Sequence, residues 1–144
     1  MMQKEVAERL CAVPGTKAYG SLSVFLNYHF TIEKGFIVLP SSFSPAPEVD
    51  SMVLKFIPHA ELKMSPSVER VLFALIRCAF WSRRKTFLNC IKTSPYFKPH
   101  ERPTVIATYK TMDWDDRRRG ETLSLEEFRV FAAAIDAAVH RPLT

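Results

Sequence analysis

One run of twelve residues limits what this chain can become: Ser42-Phe43-Ser44-Pro45-Ala46-Pro47-Glu48-Val49-Asp50-Ser51-Met52-Val53. A proline fixes its own φ and holds the residue before it in extended conformations. Ser44 and Ala46 both precede prolines, so the segment is neither helix nor interior strand. It reads as a stiff, extended, polyproline-like arm. The arm runs into Ser51-Met52-Val53-Leu54-Lys55-Phe56-Ile57, a β-branched and apolar run that reads as a strand ended by Pro58. Thr31 to Leu39 reads as a second strand, with Lys34-Gly35 a bulge. Two strands joined by a constrained loop predict an antiparallel edge pair. Phe43 then stands at the head of a loop leaving the sheet. Spacing alone leaves two readings for it: a plug in the core, or a ring offered to a flat partner such as a nucleobase.

The remaining elements follow from spacing. Val6, Ala7, Leu10 and Cys11 share one helical face, and Pro14-Gly15 ends that helix. Leu22, Phe25, Leu26 and Phe30 predict another helix capped by Ser21, although Leu22, Val24 and Leu26 also fit the alternation of a strand. Ser65-Pro66 opens a helix with a broad apolar face from Val68 to Phe80, with Arg70 and Arg77 seven apart on the other side. Continuing that helix would put Arg83 on the apolar stripe. The pattern therefore predicts a break near Trp81-Ser82 and a second helix, capped by Ser82, over Arg83 to Lys92. Prolines 95, 99 and 103 predict an irregular stretch over 93–112, with a short strand at Val105–Tyr109. Asp113 to Gly120 reads as one solvated helical turn. Ser124 and Glu127 form a capping box for a last helix to Val139, with Phe128, Phe131, Ala132, Ile135 and Val139 inward.

Charge is localised. The chain carries a net +5. Seven basic residues lie between Lys63 and Lys92 against one acid, Glu69, as a polyanion-binding patch requires. Arg83, Arg84 and Lys85 stand together in it. Solvated charge and phosphate contact are the two readings of that run. A 47% hydrophobic content suits a folded chain of 144 residues, and no apolar run is long enough to span a membrane. Cys11, Cys78 and Cys90 form no Cys-x-x-Cys pair, and the four histidines are scattered. Reduced thiols in a cytoplasmic protein, with no metal site, are the expectation. Only four glycines occur, all isolated, so these residues contain no Gly-x-Gly-x-x-Gly phosphate cradle and no complete catalytic grouping.

Five blocks together resemble the ribosomal RNA adenine dimethyltransferases. They are Gln3-Lys4-Glu5-Val6-Ala7-Glu8-Arg9-Leu10; Pro14-Gly15-Thr16-Lys17-Ala18-Tyr19-Gly20 with Leu22-Ser23-Val24; the Phe43-x-Pro45-x-Pro47-x-Val49-Asp50-Ser51 arm; Ala79-Phe80-x-x-Arg83-Arg84-Lys85-Thr86; and Arg119-Gly120-Glu121-Thr122-Leu123-Ser124-x-Glu126-x-Phe128. They occur in the family's order, and the bacterial small-subunit enzyme is the best match. The resemblance implies an α/β fold: the C-terminal part of a class I, Rossmann-like methyltransferase sheet, followed by a small all-α domain. Residues 1–60 would be the remainder of the catalytic domain and 61–144 a helical RNA-binding domain.

The implied activity is transfer of methyl groups from S-adenosylmethionine to N6 of two adjacent adenines in small-subunit rRNA. The implied partner is that rRNA or an immature small ribosomal subunit. The target adenine flips out and stacks on aromatics, a role that carries over to Phe43. RNA contact carries over to Lys17, Arg83, Arg84 and Lys85. The family's cofactor loop, acidic ribose ligand and Asn-Leu-Pro-Tyr motif precede the first block and are not among these residues. The expectation is therefore a C-terminal portion, inactive alone and binding no cofactor by itself, with a separate N-terminal half as a further partner. Ser21 and Leu88 stand where the family often has arginine, and each removes a phosphate contact. Two other readings remain: a non-catalytic RNA-binding or ribosome-assembly module, and a decay product that folds poorly.

Overall fold

A computed structural model describes residues 1–61 and 64–140. The chain divides into two compact units, Met1–Leu62 and Lys63–Thr144. The architecture is α/β, a small sheet and six helices.

The first unit is built on a three-stranded sheet in the order β1-β3-β2, from β1 (Met2–Gln3), β2 (Phe30–Val38) and β3 (Ser51–Pro58). β3 pairs antiparallel with both neighbours. Pro58 is the last strand residue, opposite Phe30. Partners run from Lys34↔Leu54 to Ile37↔Met52, so β2 carries one extra residue there, the bulge expected at Lys34-Gly35. Gly35 is needed at that point, because a Cβ on it would lie 2.8 Å from the Val53 carbonyl oxygen. α1 (Lys4–Leu10) lays Ala7 and Leu10 on Met52 and Leu54, with Met2, Cys11, Leu26 and Ile32 around them. α2 (Ser21–His29) is a helix, but the face it buries is that of Val24 and Tyr28; Leu22 and Phe25, whose spacing predicts the helix, are 55% and 41% exposed. Its N-cap is Gly20, not Ser21. The Gly20 N–H donates to Ser23 Oγ (3.1 Å), and that hydroxyl donates to the Arg9 carbonyl (2.6 Å), tying α2 to the end of α1.

The arm departs from its expected form. After a 3₁₀ turn at Pro40–Ser42 the chain bends at 43–45 and again at 48–49. Topology demands this. Twelve residues of straight polyproline helix would span roughly 37 Å, yet Val38 and Ser51 on either side of the arm are directly paired.

The second unit packs α3 (Pro66–Ala79), α4 (Phe87–Thr93), α5 (Arg102–Thr111) and α6 (Leu125–Val139). Ser65 caps α3, accepting from the Val68 N–H, with Pro66 in the first turn. Leu72, Leu75, Ile76, Phe87, Ile91, Phe128 and Phe131 are almost wholly excluded from solvent. At about 1.5–3 kcal/mol for each fully buried large apolar side chain, this cluster is the unit's main source of stability. Phe87 meets Tyr109, Phe128 and Phe131 edge-on at centroid distances of 6.0–6.2 Å.

Four expectations for this unit fail. Residues 105–109 are helix, not strand: Pro103 lies in the first turn of α5, where its missing N–H costs nothing. Asp113 to Arg119 forms irregular turns, with Asp113 at φ 55°. Val139 is 60% exposed rather than inward, because it ends α6 beyond the last packed turn at Ile135. The helix after the α3 break begins at Phe87 with Thr86 as its cap, not at Arg83 with Ser82. Thr86 accepts from the Asn89 N–H (3.3 Å), which leaves three cations outside a first turn whose dipole disfavours them.

Candidate nucleic-acid interface

The arm is anchored at both ends and exposed between them. At its start the Phe43 N–H donates to the Pro40 carbonyl (3.1 Å) and the Ser42 N–H to that of Leu39 (3.0 Å). At its end the Asp50 carbonyl accepts the Lys4 N–H (2.9 Å), and the Asp50 carboxylate faces the Lys4 ammonium (3.8 Å). The arm thus closes against the junction where β1 passes into α1. Phe43 is extended (φ −121°, ψ 152°) and half-buried, while residues 44–49 are all exposed. A ring fixed by backbone on one side and open on the other can stack on a planar group.

Lys17 lies in the turn before α2 and is exposed. Gly15 takes the left-handed conformation (φ 81°) that reverses the chain. The Thr16 hydroxyl donates to the Val13 carbonyl (2.8 Å), and the Tyr19 N–H to that of Thr16 (3.2 Å). Tyr19 is buried beside it. Lys17 is therefore held out from a fixed base.

In the second unit Arg83, Arg84 and Lys85 occupy one turn between α3 and α4, closed by the Lys85 N–H on the Ser82 carbonyl (3.1 Å). The three are not equivalent. Arg83 Nε donates to Glu121 Oε2 at 3.0 Å, which fastens the turn to the 3₁₀ segment Gly120–Thr122. Arg84 and Lys85 are exposed, and among the described residues no carboxylate pairs with them. Lys63, the first cation of the basic segment, lies outside the described residues. Ser21 is exposed at the start of α2, and Leu88 is buried in α4.

Sequence reasoning missed the role of Arg118, assigned above to a solvated turn. Its guanidinium grips Glu127 with Nη1 on Oε1 (2.7 Å) and Nη2 on Oε2 (2.8 Å), and lies 5.2 Å from the Trp114 ring. Ser124 and Glu127 complete the capping box, with the Ser124 N–H on Glu127 Oε2 (2.8 Å). Burial raises the Glu127 pKa, but the Arg118 and Ser124 hydrogen bonds outweigh it and hold the carboxyl below its ordinary value. The backbone signal for Phe87 was equally hidden: its N–H donates to the Arg118 carbonyl (2.7 Å) across thirty residues of sequence.

None of the cysteines is in a disulfide. Burial pushes the Cys78 thiol up to about 12, so it is no nucleophile at neutral pH. Among the described residues no three His, Cys, Asp or Glu side chains cluster to hold a metal, and no buried side-chain polar atom lacks a hydrogen bond. The described helices include none long and apolar enough to cross a membrane.

The family model for ribosomal RNA adenine dimethylase matches residues 1–129. The ribosomal RNA small subunit methyltransferase A of Geobacter metallireducens is 42% identical over 95% of this chain and 49% of its own length. That of Bacillus cytotoxicus is 37% identical over 94% of this chain and 46% of its own. The chain thus spans about half the length of the curated relatives it matches. The fold is similar to a dimethyladenosine transferase from Plasmodium falciparum (TM-score 0.75, 23% identity, 90% of this chain and 54% of that one). It also resembles the 23S rRNA methyltransferase ErmE (TM-score 0.59, 21% identity, 93% of this chain and 52% of that one). The chain belongs to the ribosomal RNA adenine dimethylase family.

Proposed function

We propose that this chain is the RNA-contacting, C-terminal part of an rRNA adenine dimethyltransferase, the enzyme that moves methyl groups from S-adenosylmethionine to N6 of two adjacent adenines in small-subunit rRNA. The carrying observation is the turn 83–85. It is fixed by the Thr86 cap and the Arg83–Glu121 pair, and it presents Arg84 and Lys85 with no carboxylate partner among the described residues. Phosphates are the ligands such cations serve best. Phe43 stacks on the flipped adenine at the strand end, and Lys17 adds a phosphate contact in the same unit. In this reading residues 1–60 complete the methyltransferase sheet and 61–144 form the RNA-binding domain.

The residues present do not fit S-adenosylmethionine. A cofactor cradle needs clustered glycines and an acid on the ribose. Here Gly35 and Gly120 serve close packing, since a Cβ on either would meet backbone within 3 Å. Gly15 and Gly20 flank the Lys17 turn, five residues apart. We therefore assign this chain substrate positioning and no methyl-transfer step. A non-catalytic RNA-binding or ribosome-assembly module is the second reading, supported by a helical unit with a core of its own.

Two titrations test the proposal. The chain should bind a small-subunit rRNA fragment in a salt-dependent manner and give no calorimetric signal with S-adenosylmethionine. Micromolar cofactor binding would overturn the missing-half reading. Methyl transfer restored by adding the N-terminal half of a relative separates an enzyme fragment from a stand-alone module.

A further inference from the structure

The two edges of the first unit's sheet are built differently. β2 ends one side and is guarded: the bulge at Lys34-Gly35 and the exposed charges of Glu33 and Lys34 oppose pairing with another strand. β1 ends the other side and carries neither device. The Lys4 N–H donates to the Asp50 carbonyl (2.9 Å), one step along the register from Gln3↔Ser51. Antiparallel alternation then turns the Met2 backbone groups toward β3, and the Met1 carbonyl and Gln3 N–H toward the open side. Gln3 is also the N-cap of α1, so its own carbonyl is committed to the helix. One acceptor and one donor, flanking Met2, are left. A parallel strand takes that pattern, because one of its residues donates to the Met1 carbonyl and accepts the Gln3 N–H. An antiparallel strand would need both groups of Gln3. Apolar side chains flank the same edge: Met1 is 66% exposed, Val6 in α1 40%, and Val49, beside the Lys4-bound Asp50, 47%. The charges between them are answered, Lys4 by Asp50 and Glu5 by Arg9. Among the described residues eleven of the fourteen exposed large apolar side chains lie in the first unit, so the second unit has closed its core and the first has not.

We propose that the β1 edge is a docking site for a second polypeptide, the N-terminal half of an rRNA adenine dimethyltransferase, which adds a parallel strand to it. The Met1 carbonyl and Gln3 N–H hold that strand, and Met1, Val6 and Val49 give it an apolar seat. The inference rests on the missing-half reading above and gives that half its place of attachment. The Geobacter metallireducens relative, 49% of which this chain covers, carries as much chain again, enough to supply further strands and helices. A second copy of this chain fits less well. A two-fold axis through the sheet would set β1 antiparallel to its mate, and the Gln3 carbonyl that such pairing needs is already taken by α1.

The test co-expresses the whole chain with the N-terminal half of the Geobacter metallireducens relative, the half alone carrying an affinity tag. The captured material is diluted while its mass is followed by light scattering. The parent should emerge with the tagged half as a one-to-one complex. Q3P removes the donated N–H, yet the φ of −56° at Gln3 is one that proline adopts, so Q3P should melt like the parent. Its complex should be about ten-fold weaker. V6K/V49K should weaken the complex likewise by charging the apolar seat, and F36K, on the guarded edge, should leave it unchanged. Equal affinity of the parent, Q3P and V6K/V49K would put the contact elsewhere and overturn the β1 site while the missing-half reading stands. A parent that pairs with itself, or elutes as a monomer apart from the tagged half, overturns both the site and its occupant. Binding of the small-subunit rRNA fragment is measured on the same proteins. Q3P should keep the parent's RNA affinity, and a parent that binds the half but no RNA keeps the β1 site and loses the RNA reading.

Discussion

Arg118 and Glu127 form a two-point ion pair, at 2.7 and 2.8 Å, that joins the turns after α5 to the first turn of α6. Glu127 serves two masters: the same carboxylate accepts the Ser124 N–H, so the pair and the helix cap are one device. Arg118 is in addition spread near the Trp114 ring, which packs on Phe131 at 5.3 Å. The basic run of Arg117, Arg118 and Arg119 is thus in part a structural clamp. Its middle member is bound to the core and is not displayed to a ligand.

Glu127→Ala removes the carboxylate half of the capping box and leaves Arg118 without its acid, held only by Thr122 and the Trp114 ring. It should destabilise the second unit by about 1–2 kcal/mol, seen as a lower thermal midpoint. Glu127→Gln keeps one acceptor for Ser124 and should lose less. Equal midpoints for parent and Glu127→Ala would remove the clamp from the account.

The same carboxylate predicts a pH dependence. Its folded-state pKa lies below the ordinary value of 4.5. Its contribution is therefore complete above about 4.5 and is lost as pH falls through the lower folded value. Thermal midpoints recorded down into the acid range should fall more steeply for the parent than for Glu127→Gln. Parallel curves would contradict the assignment.

Gly120 sits where the 3₁₀ turn meets the end of α3. A Cβ there would lie 2.4 Å from the Ala79 carbonyl oxygen and 2.5 Å from the Ala79 Cβ. Gly120→Ala must push the two apart, at a cost of about 1–3 kcal/mol. It should also disturb Glu121 and through it Arg83. A variant as stable as the parent would show that the contact yields freely.

The three cations of the turn should separate by experiment. Arg84→Ala should lower the salt slope of RNA binding by about one with no change in thermal midpoint. Arg83→Ala should also loosen the turn, and Glu121→Gln should reproduce that loosening without removing a cation. Identical behaviour of Arg83→Ala and Arg84→Ala in binding and melting would erase the distinction drawn from the Glu121 pair.

For Phe43 the readout is optical. With 2-aminopurine at a target adenine, binding should change fluorescence through stacking. Phe43→Ala should abolish that change while leaving most of the phosphate-driven affinity, and Phe43→Trp should keep it. An unchanged signal in Phe43→Ala would return this ring to simple packing.

What was legible in the sequence was local. Ser65-Pro66, Ser124 with Glu127 and the β2–β3 pair were all written in spacing and capping residues a few positions apart. The bulge at Gly35 was legible for the same reason. What escaped was set by distant partners or by competing rules. Arg118 looked like one of three solvated arginines because Glu127 and Trp114 are brought to it only by folding. Three prolines hid α5, although Val105, Thr108 and Tyr109 already had helical spacing. Ser82 and Thr86 are both competent caps, and starting at Thr86 keeps Arg83, Arg84 and Lys85 out of a first turn whose dipole disfavours them. In the candidate interface, Phe43, Lys17, Arg84 and Lys85 were named from the sequence and remain proposals, and the engagement of Arg83 with Glu121 was not legible there.

The central claim is that this chain contacts RNA through the turn 83–85, and it is tested most directly by equilibrium binding to a small-subunit rRNA fragment across a salt series, for the parent and for an Arg84→Gln/Lys85→Gln double variant. The account predicts saturable binding that weakens with salt, with a slope lower by about two in the double variant. No binding at low salt, or the same slope in both proteins, would contradict it.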